Sequence, residues 1–176
     1  MIIDYQPTQI NSIRSMDRDV LVGNIVRVAK TAVLYGIPIV LSTVNVKSGR
    51  NQPTVAALET VLPHVDSLDR TSINAWEDVE FQSAVKATGR MKLLMAALWT
   101  EACLAFPTLD ALREGFEIYP VVDAVGGTSV EAHRAALDRV VQAGAQPVSW
   151  VQLICELQRD WARTETASEF AQFLFG

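Results

Sequence analysis

Four times in this chain an apolar helical pattern stops on a glycine and a short apolar strand follows within a few residues. "VLVGNIVRVAKTAVLYG" (20–36) leads to "IPIVLST" (37–43), and "VEFQSAVKATG" (79–89) leads to "RMKLLMAAL" (90–98). "EACLAFPTLDALREG" (101–115) leads to "FEIYPVVDA" (116–124), and "VEAHRAALDRVVQAG" (130–144) leads to "AQPVSWV" (145–151). Strands that alternate with helices and are apolar along their whole length belong in a parallel sheet covered on both faces. With "MIIDY" as a first strand, cut short at Met1, and a short third strand within "DSLDRTSINAWED" (66–78), the expected fold class is α/β. In detail it is a three-layer α/β/α, Rossmann-like fold with a six-stranded parallel sheet. The tail is expected to form two further helices with "TETAS" (164–168) between them.

A chain of 176 residues, 49% hydrophobic, supports one core, so residues 1–176 are expected to form a single domain. Net charge is −5 with no Lys/Arg cluster, which argues against a nucleic-acid partner. No apolar run reaches the roughly 18 to 20 residues of a spanning helix, and the first residues lack a basic-then-apolar leader pattern. The expectation is no membrane partner and a cytoplasmic location. Cys103 and Cys155 stand far apart with no CxxC spacing, which signals neither a disulfide framework nor a zinc site.

Doubly wound sheets bind ligands beyond the carboxyl ends of their strands, at the point where strand order reverses. Asp4 and Gln6 follow the first strand, and Thr43 and Asn45 the second. Arg70 and Asn74 follow the third, Thr100 and Cys103 the fourth, Asp123 and Thr128 the fifth. No phosphate-binding glycine motif is present, and the "GG" at 126–127 alone does not make one, so no nucleotide cofactor is indicated. Cys103 falls near a helix start, where the dipole and free N–H groups are expected to lower a thiol pKa and stabilise an oxyanion. Packing explains a cysteine in an apolar helix equally well, as it does for Cys155 in "LICEL". Asp4 fits a turn or cap, and Trp76 and Phe106 fit core or subunit contacts.

"IIDYQ", "INAWED", "LWTEACLAFPTL" and "EGFEIYPVVDAVGGTS", in that order, resemble the isochorismatase-like cysteine hydrolase superfamily, most closely its YcaC-type branch. The resemblance spans nearly the whole chain. It implies an Asp, Lys, Cys triad in which Asp4 and Cys103 match, while Arg70 stands where the lysine is expected and is taken as its replacement. It also implies a cis peptide at Leu98–Trp99, with Trp99 and Cys103 supplying the oxyanion-hole N–H groups. Ala97 replaces the glycine usual before that bond. His64 and His133 lack the spacing of metal-binding relatives, so no metal or other cofactor is expected.

The expected function is that of a cofactor-independent cysteine hydrolase acting on a small amide, ureide or carbamoyl C–N bond through a thioester. Gln6, Asn74, Trp76 and Phe106 are the candidates for contacting the small-molecule substrate. The alternative is a vestigial site on an oligomeric α/β protein that acts by binding or assembly. Either way the resemblance implies a homo-oligomer, dimer or higher. Trp150, Trp161, Phe170, Phe173 and Phe175 suit such a contact or the core.

Overall fold

The computed structural model describes residues 1–176. Its strands are β1 (Ile2–Ile3), β2 (Leu41–Val44), β3 (Ser67–Arg70), β4 (Lys92–Ala97) and β5 (Glu117–Pro120). The helices are α1 (Pro7–Ser12), α2 (Arg18–Leu34), α3 (Ala56–Val61), α4 (Val79–Ala87), α5 (Ala105–Arg113), α6 (Val130–Gln142), α7 (Trp150–Gln158) and α8 (Thr164–Phe175). All strand pairs are parallel, in the order β3-β2-β1-β4-β5.

The sheet thus has five strands, where six were expected. Residues 145–151 do run beside β5, with Gln146 N–H donating to Ile118 O (2.9 Å) and Val148 N–H to Pro120 O (2.9 Å). The pairing shrinks to a single Val121–Val148 bridge, because Pro120 has no N–H to add to the ladder on that side.

Short as it is, β1 is central. Ile2 and Ile3 pair with Leu41 and Ser42 on one side and with Ala96 and Ala97 on the other. Its two isoleucines are buried in the main core with Tyr5, Leu21, Ile25, Met95 and Leu98. The helices form two groups, α2 with α3, α7 and α8, and α5 with α6, matching layers on the two faces. Strand order reverses between β1 and β4, so the crevice of the fold opens at their carboxyl ends.

Two local expectations change. "TETAS" begins α8, with Glu165 in the favourable first turn. The helix expected from Glu101 starts as a π-turn over Thr100–Leu104, in which Leu104 N–H donates to Trp99 O at 3.1 Å. Pro107 has no N–H to return to the Cys103 carbonyl, which accounts for the irregular entry. Among the C-terminal aromatics, Phe170 is buried and stacks edge-on against the exposed Trp161 (4.8 Å between centroids), while Phe175 is exposed. No helix is long and apolar enough to cross a membrane.

Candidate active site

The site begins where β1 stops. Asp4 has φ 64°, in the left-handed region that only Gly, Asn and Asp visit readily. Its N–H is held by Ser42 O (2.9 Å), and its own carbonyl accepts from Gln6 N–H (2.8 Å). This tight turn fixes a wholly buried carboxylate at the carboxyl end of the central strand.

Arg70 is the last residue of β3 and reaches across β2 to meet it. Nη1 and Nη2 each donate to one Asp4 oxygen at 2.7 Å, the bidentate fork that suits a guanidinium. Nη1 also donates to Ser42 Oγ (3.2 Å) and Thr43 O (3.1 Å), and Nη2 to Ile73 O (3.2 Å). The Nε–H is buried without a partner. Burial works against the Arg70 charge, yet the hydrogen bonds and charge of Asp4 outweigh it and leave the guanidinium pKa raised.

Cys103 comes from the other side of the crevice. After β4 the chain passes through a cis Leu98–Trp99 peptide bond into the π-turn, which places Cys103 in the buried core. Its thiol pKa is pushed up to about 12, first by burial and then by the charge and hydrogen bonding of Asp4. Arg70 and the Trp99 backbone N–H pull it down, and by less. This overturns the expectation of a thiol acidified by a helix N-terminus: α5 starts only at Ala105, and the charge of Asp4 acts on the thiol more strongly than that of Arg70. The resting pair is a neutral thiol beside an Arg-bound carboxylate.

Asp4, Arg70, Cys103 and Trp99 therefore converge, while the residues expected to contact substrate do so unevenly. Gln6 is fully buried and its amide is spent on the fold: Nε2 donates to Val44 O (3.1 Å) and Gln52 O (2.6 Å), and Oε1 accepts from Val44 N–H (3.0 Å). Asn74 is likewise engaged, accepting from Trp76 N–H (3.0 Å) and donating to Asp110 Oδ2 (2.7 Å). Trp76 is a core anchor, edge-on to Phe116 at 5.4 Å, with Nε1 bonded to Glu114 Oε1 (2.8 Å). Long-range partners invisible in the sequence occupy the polar groups of these three. Phe106 remains available, with 36% of its surface exposed.

The contacts that hold the π-turn in place are not visible in the sequence. Thr100 N–H donates to Gly126 O (2.9 Å), and Thr100 Oγ1 lies 2.9 Å from His133 Nδ1. Trp99 Nε1 donates to Ser12 Oγ (2.5 Å), and Tyr5 Oη to Ala124 O. Ser42, which helps hold Arg70, was also missed. The available signal was the "GG" pair at 126–127, which follows β5 and faces the turn that carries Cys103.

The isochorismatase domain profile matches residues 1–152 of this chain. The probable hydrolase YcaC of Escherichia coli (strain K12) is 36% identical over 162 residues, covering 92% of this chain and 77% of that protein. Among solved structures, YcaC from Pseudomonas aeruginosa with hexane-2,5-diol and covalent acrylamide superposes with TM-score 0.91 at 35% identity, covering 99% of this chain and 87% of that one. The Escherichia coli YcaC structure, described as an octameric hydrolase of unknown specificity, superposes with TM-score 0.88 at 33% identity, covering 98% and 89%.

Proposed function

The chain belongs to the isochorismatase domain family and is an isochorismatase-like hydrolase, and from that premise we propose that it cleaves the C–N bond of a small amide, ureide or carbamoyl compound through a Cys103 thioester. The observation that carries this reading is the buried Arg70–Asp4 fork set beside a neutral Cys103 thiol. That a YcaC relative was solved with covalent acrylamide, a small primary amide, supports a family scaffold that admits such groups and reacts with them.

Asp4 is the general base. It takes the Cys103 proton as sulfur attacks the carbonyl carbon, so the thiolate forms only with the new S–C bond. That order suits a thiol held near pKa 12, which stays protonated in the resting enzyme. Negative charge moves to the carbonyl oxygen, where the backbone N–H groups of Trp99 and Cys103 hold it. The C–N bond then breaks, Asp4 returns the proton to the departing amine, and the acyl group remains on sulfur. Water deprotonated by Asp4 attacks the thioester, releases the acid and restores the thiol. Arg70 stays protonated throughout and serves as a positioning residue, fixing both carboxylate oxygens. With Asp4 wholly buried and Cys103 only 8% exposed, the site suits a small planar group, and Phe106 is the candidate wall for it.

Ammonia release from a panel of primary amides, ureides and carbamates tests this. Turnover of any accepted compound is expected to fall at least ~10⁴-fold in Cys103→Ala, comparable with losing a covalent nucleophile, and an unchanged rate would exclude the thioester. Because the Escherichia coli relative is octameric, this chain is also proposed to assemble as a homo-oligomer. Light scattering is expected to give a mass of several chains, and a monomer at micromolar concentration would reject assembly.

A further inference from the structure

Glu101 lies two residues before Cys103, on the π-turn, yet its carboxylate faces away toward the loop between β5 and α6. Oε1 accepts from both Thr128 N–H (2.9 Å) and Thr128 Oγ1 (2.6 Å). Oε2 is buried with no partner of its own. It sits over Gly127, where an added Cβ would lie 2.6 Å from that oxygen and 3.0 Å from His133 Cβ. A Cβ on Gly126 would lie 2.9 Å from Ile13 Cγ2. At both glycines an added Cβ would press on a side chain, Ile13 at Gly126 and Glu101 with His133 at Gly127, so a side chain at Gly127 would push the Glu101 carboxylate aside.

The same loop is tied to the start of the turn. Leu98 bridges to Gly126, and Thr100 N–H donates to Gly126 O. On its far side Gly127 N–H donates to Ser15 Oγ (2.9 Å), and Gly127 O accepts from Arg14 N–H (3.0 Å). The turn is therefore pinned at both ends of its first half, at Thr100 by main chain and at Glu101 by a charged side chain. Trp99 and Cys103, whose N–H groups point to the developing oxyanion in the reading above, flank those pins.

From this the geometry points to Glu101 as a positioning residue: its clamp on Thr128, over Gly127, sets the direction of the Trp99 to Cys103 backbone and hence the reactivity of Cys103. The inference rests on the proposed nucleophile and oxyanion hole. It concerns neither proton transfer nor contact with substrate. Misplacement of a catalytic group by about 1 Å costs on the order of 100-fold in rate, so loss of the clamp has a readable effect.

The test uses acrylamide as probe, because its addition needs the same features. Sulfur bonds the β-carbon, the electron pair moves to the carbonyl oxygen, and the Cys103 proton returns through Asp4 to the α-carbon. Adduct formation at Cys103 is followed by peptide mass spectrometry, alongside amide hydrogen exchange in the peptides spanning 98–105 and, as a folding reference, 18–34. In Glu101→Ala and Gly127→Ala, exchange in 98–105 is expected to rise at least about 10-fold with 18–34 unchanged. Cys103 adduct formation is expected to slow by about 10- to 100-fold. Glu101→Gln keeps the acceptor oxygen for Thr128 and is expected to restore most of the rate.

Unchanged exchange in 98–105 in both alanine variants overturns the clamp. Raised exchange with an unchanged Cys103 rate overturns the positioning role. If wild-type Cys103 adds acrylamide no faster than the unfolded chain does, the nucleophile reading itself fails, and the role assigned to Glu101 falls with it.

Discussion

Replacing Arg70 by methionine is expected to lower the free energy of unfolding by about 3–5 kcal/mol. The substitution leaves the Asp4 carboxylate wholly buried after losing two 2.7 Å charged hydrogen bonds. Domains have only about 5–15 kcal/mol of stability in total, so this one change consumes a large share of it. Urea denaturation of wild type, Arg70→Met and the double variant Asp4→Asn with Arg70→Met measures the effect. The double variant is expected to regain most of the loss, because it buries neither charge alone. A single variant within about 1 kcal/mol of wild type would mean that the fork contributes no more than an exposed pair. Turnover is expected to be lost in both, which separates the fork's structural role from its catalytic one.

Asp4→Asn is expected to move two properties of Cys103 in opposite directions. Burial is the largest cause of the raised thiol pKa, and it remains in the variant; the charge and hydrogen bond of Asp4 come next, and both are removed. Arg70 and the Trp99 N–H, which lower the pKa, also remain. The Cys103 thiolate therefore forms at lower pH in the variant than in wild type, where ionisation waits until about pH 12. Hydrolysis moves the other way. Without a base to take the proton during attack, turnover falls by about 10²- to 10⁴-fold at neutral pH. The two halves are measured by thiolate absorbance against pH, with Cys155→Ser as background, and by ammonia release. The variant is studied below its unfolding transition, since Arg70 is left buried and unpaired. If thiol ionisation and turnover rose together, the thiolate would be the resting nucleophile and Asp4 no base.

Why the sequence carried some of this and hid the rest follows from what each feature depends on. Asp4 and Cys103 were legible because they lie on the segments that leave β1 and β4, the two strands at which strand order reverses. Arg70 was harder. Its strand, Ser67–Arg70, is short, polar and at the sheet edge, so hydrophobic patterning barely marks it. Family resemblance, more than periodicity, drew attention to it and to the cis bond at Leu98–Trp99. The sixth strand was overcounted because apolar content does not register that Pro120 lacks a donor. The sign of the Cys103 shift was misjudged because position in a helix is local, whereas its burial and the charge of Asp4 are set by a segment 99 residues away. The scaffold partners of Gln6, Asn74 and Trp76 are hidden for the same reason. Their polar atoms meet Gln52, Asp110 and Glu114, partners that only the folded chain brings near. Glu101 went unremarked because its meaning depends on two glycines that, without a fold, suggested only a weak phosphate motif.

Cys103 is proposed as a base-assisted nucleophile facing an oxyanion hole, although its thiol is far less acidic than usual. The most direct test is to expose the wild-type protein to acrylamide at neutral pH and follow both cysteines by peptide mass spectrometry. Cys155 is exposed and makes an internal reference for an unassisted thiol. The account predicts that Cys103 is modified faster than Cys155 despite its burial, and that Asp4→Asn abolishes that advantage. Modification of Cys155 alone, with Cys103 untouched, would contradict it and mark Cys103 as a packed core thiol.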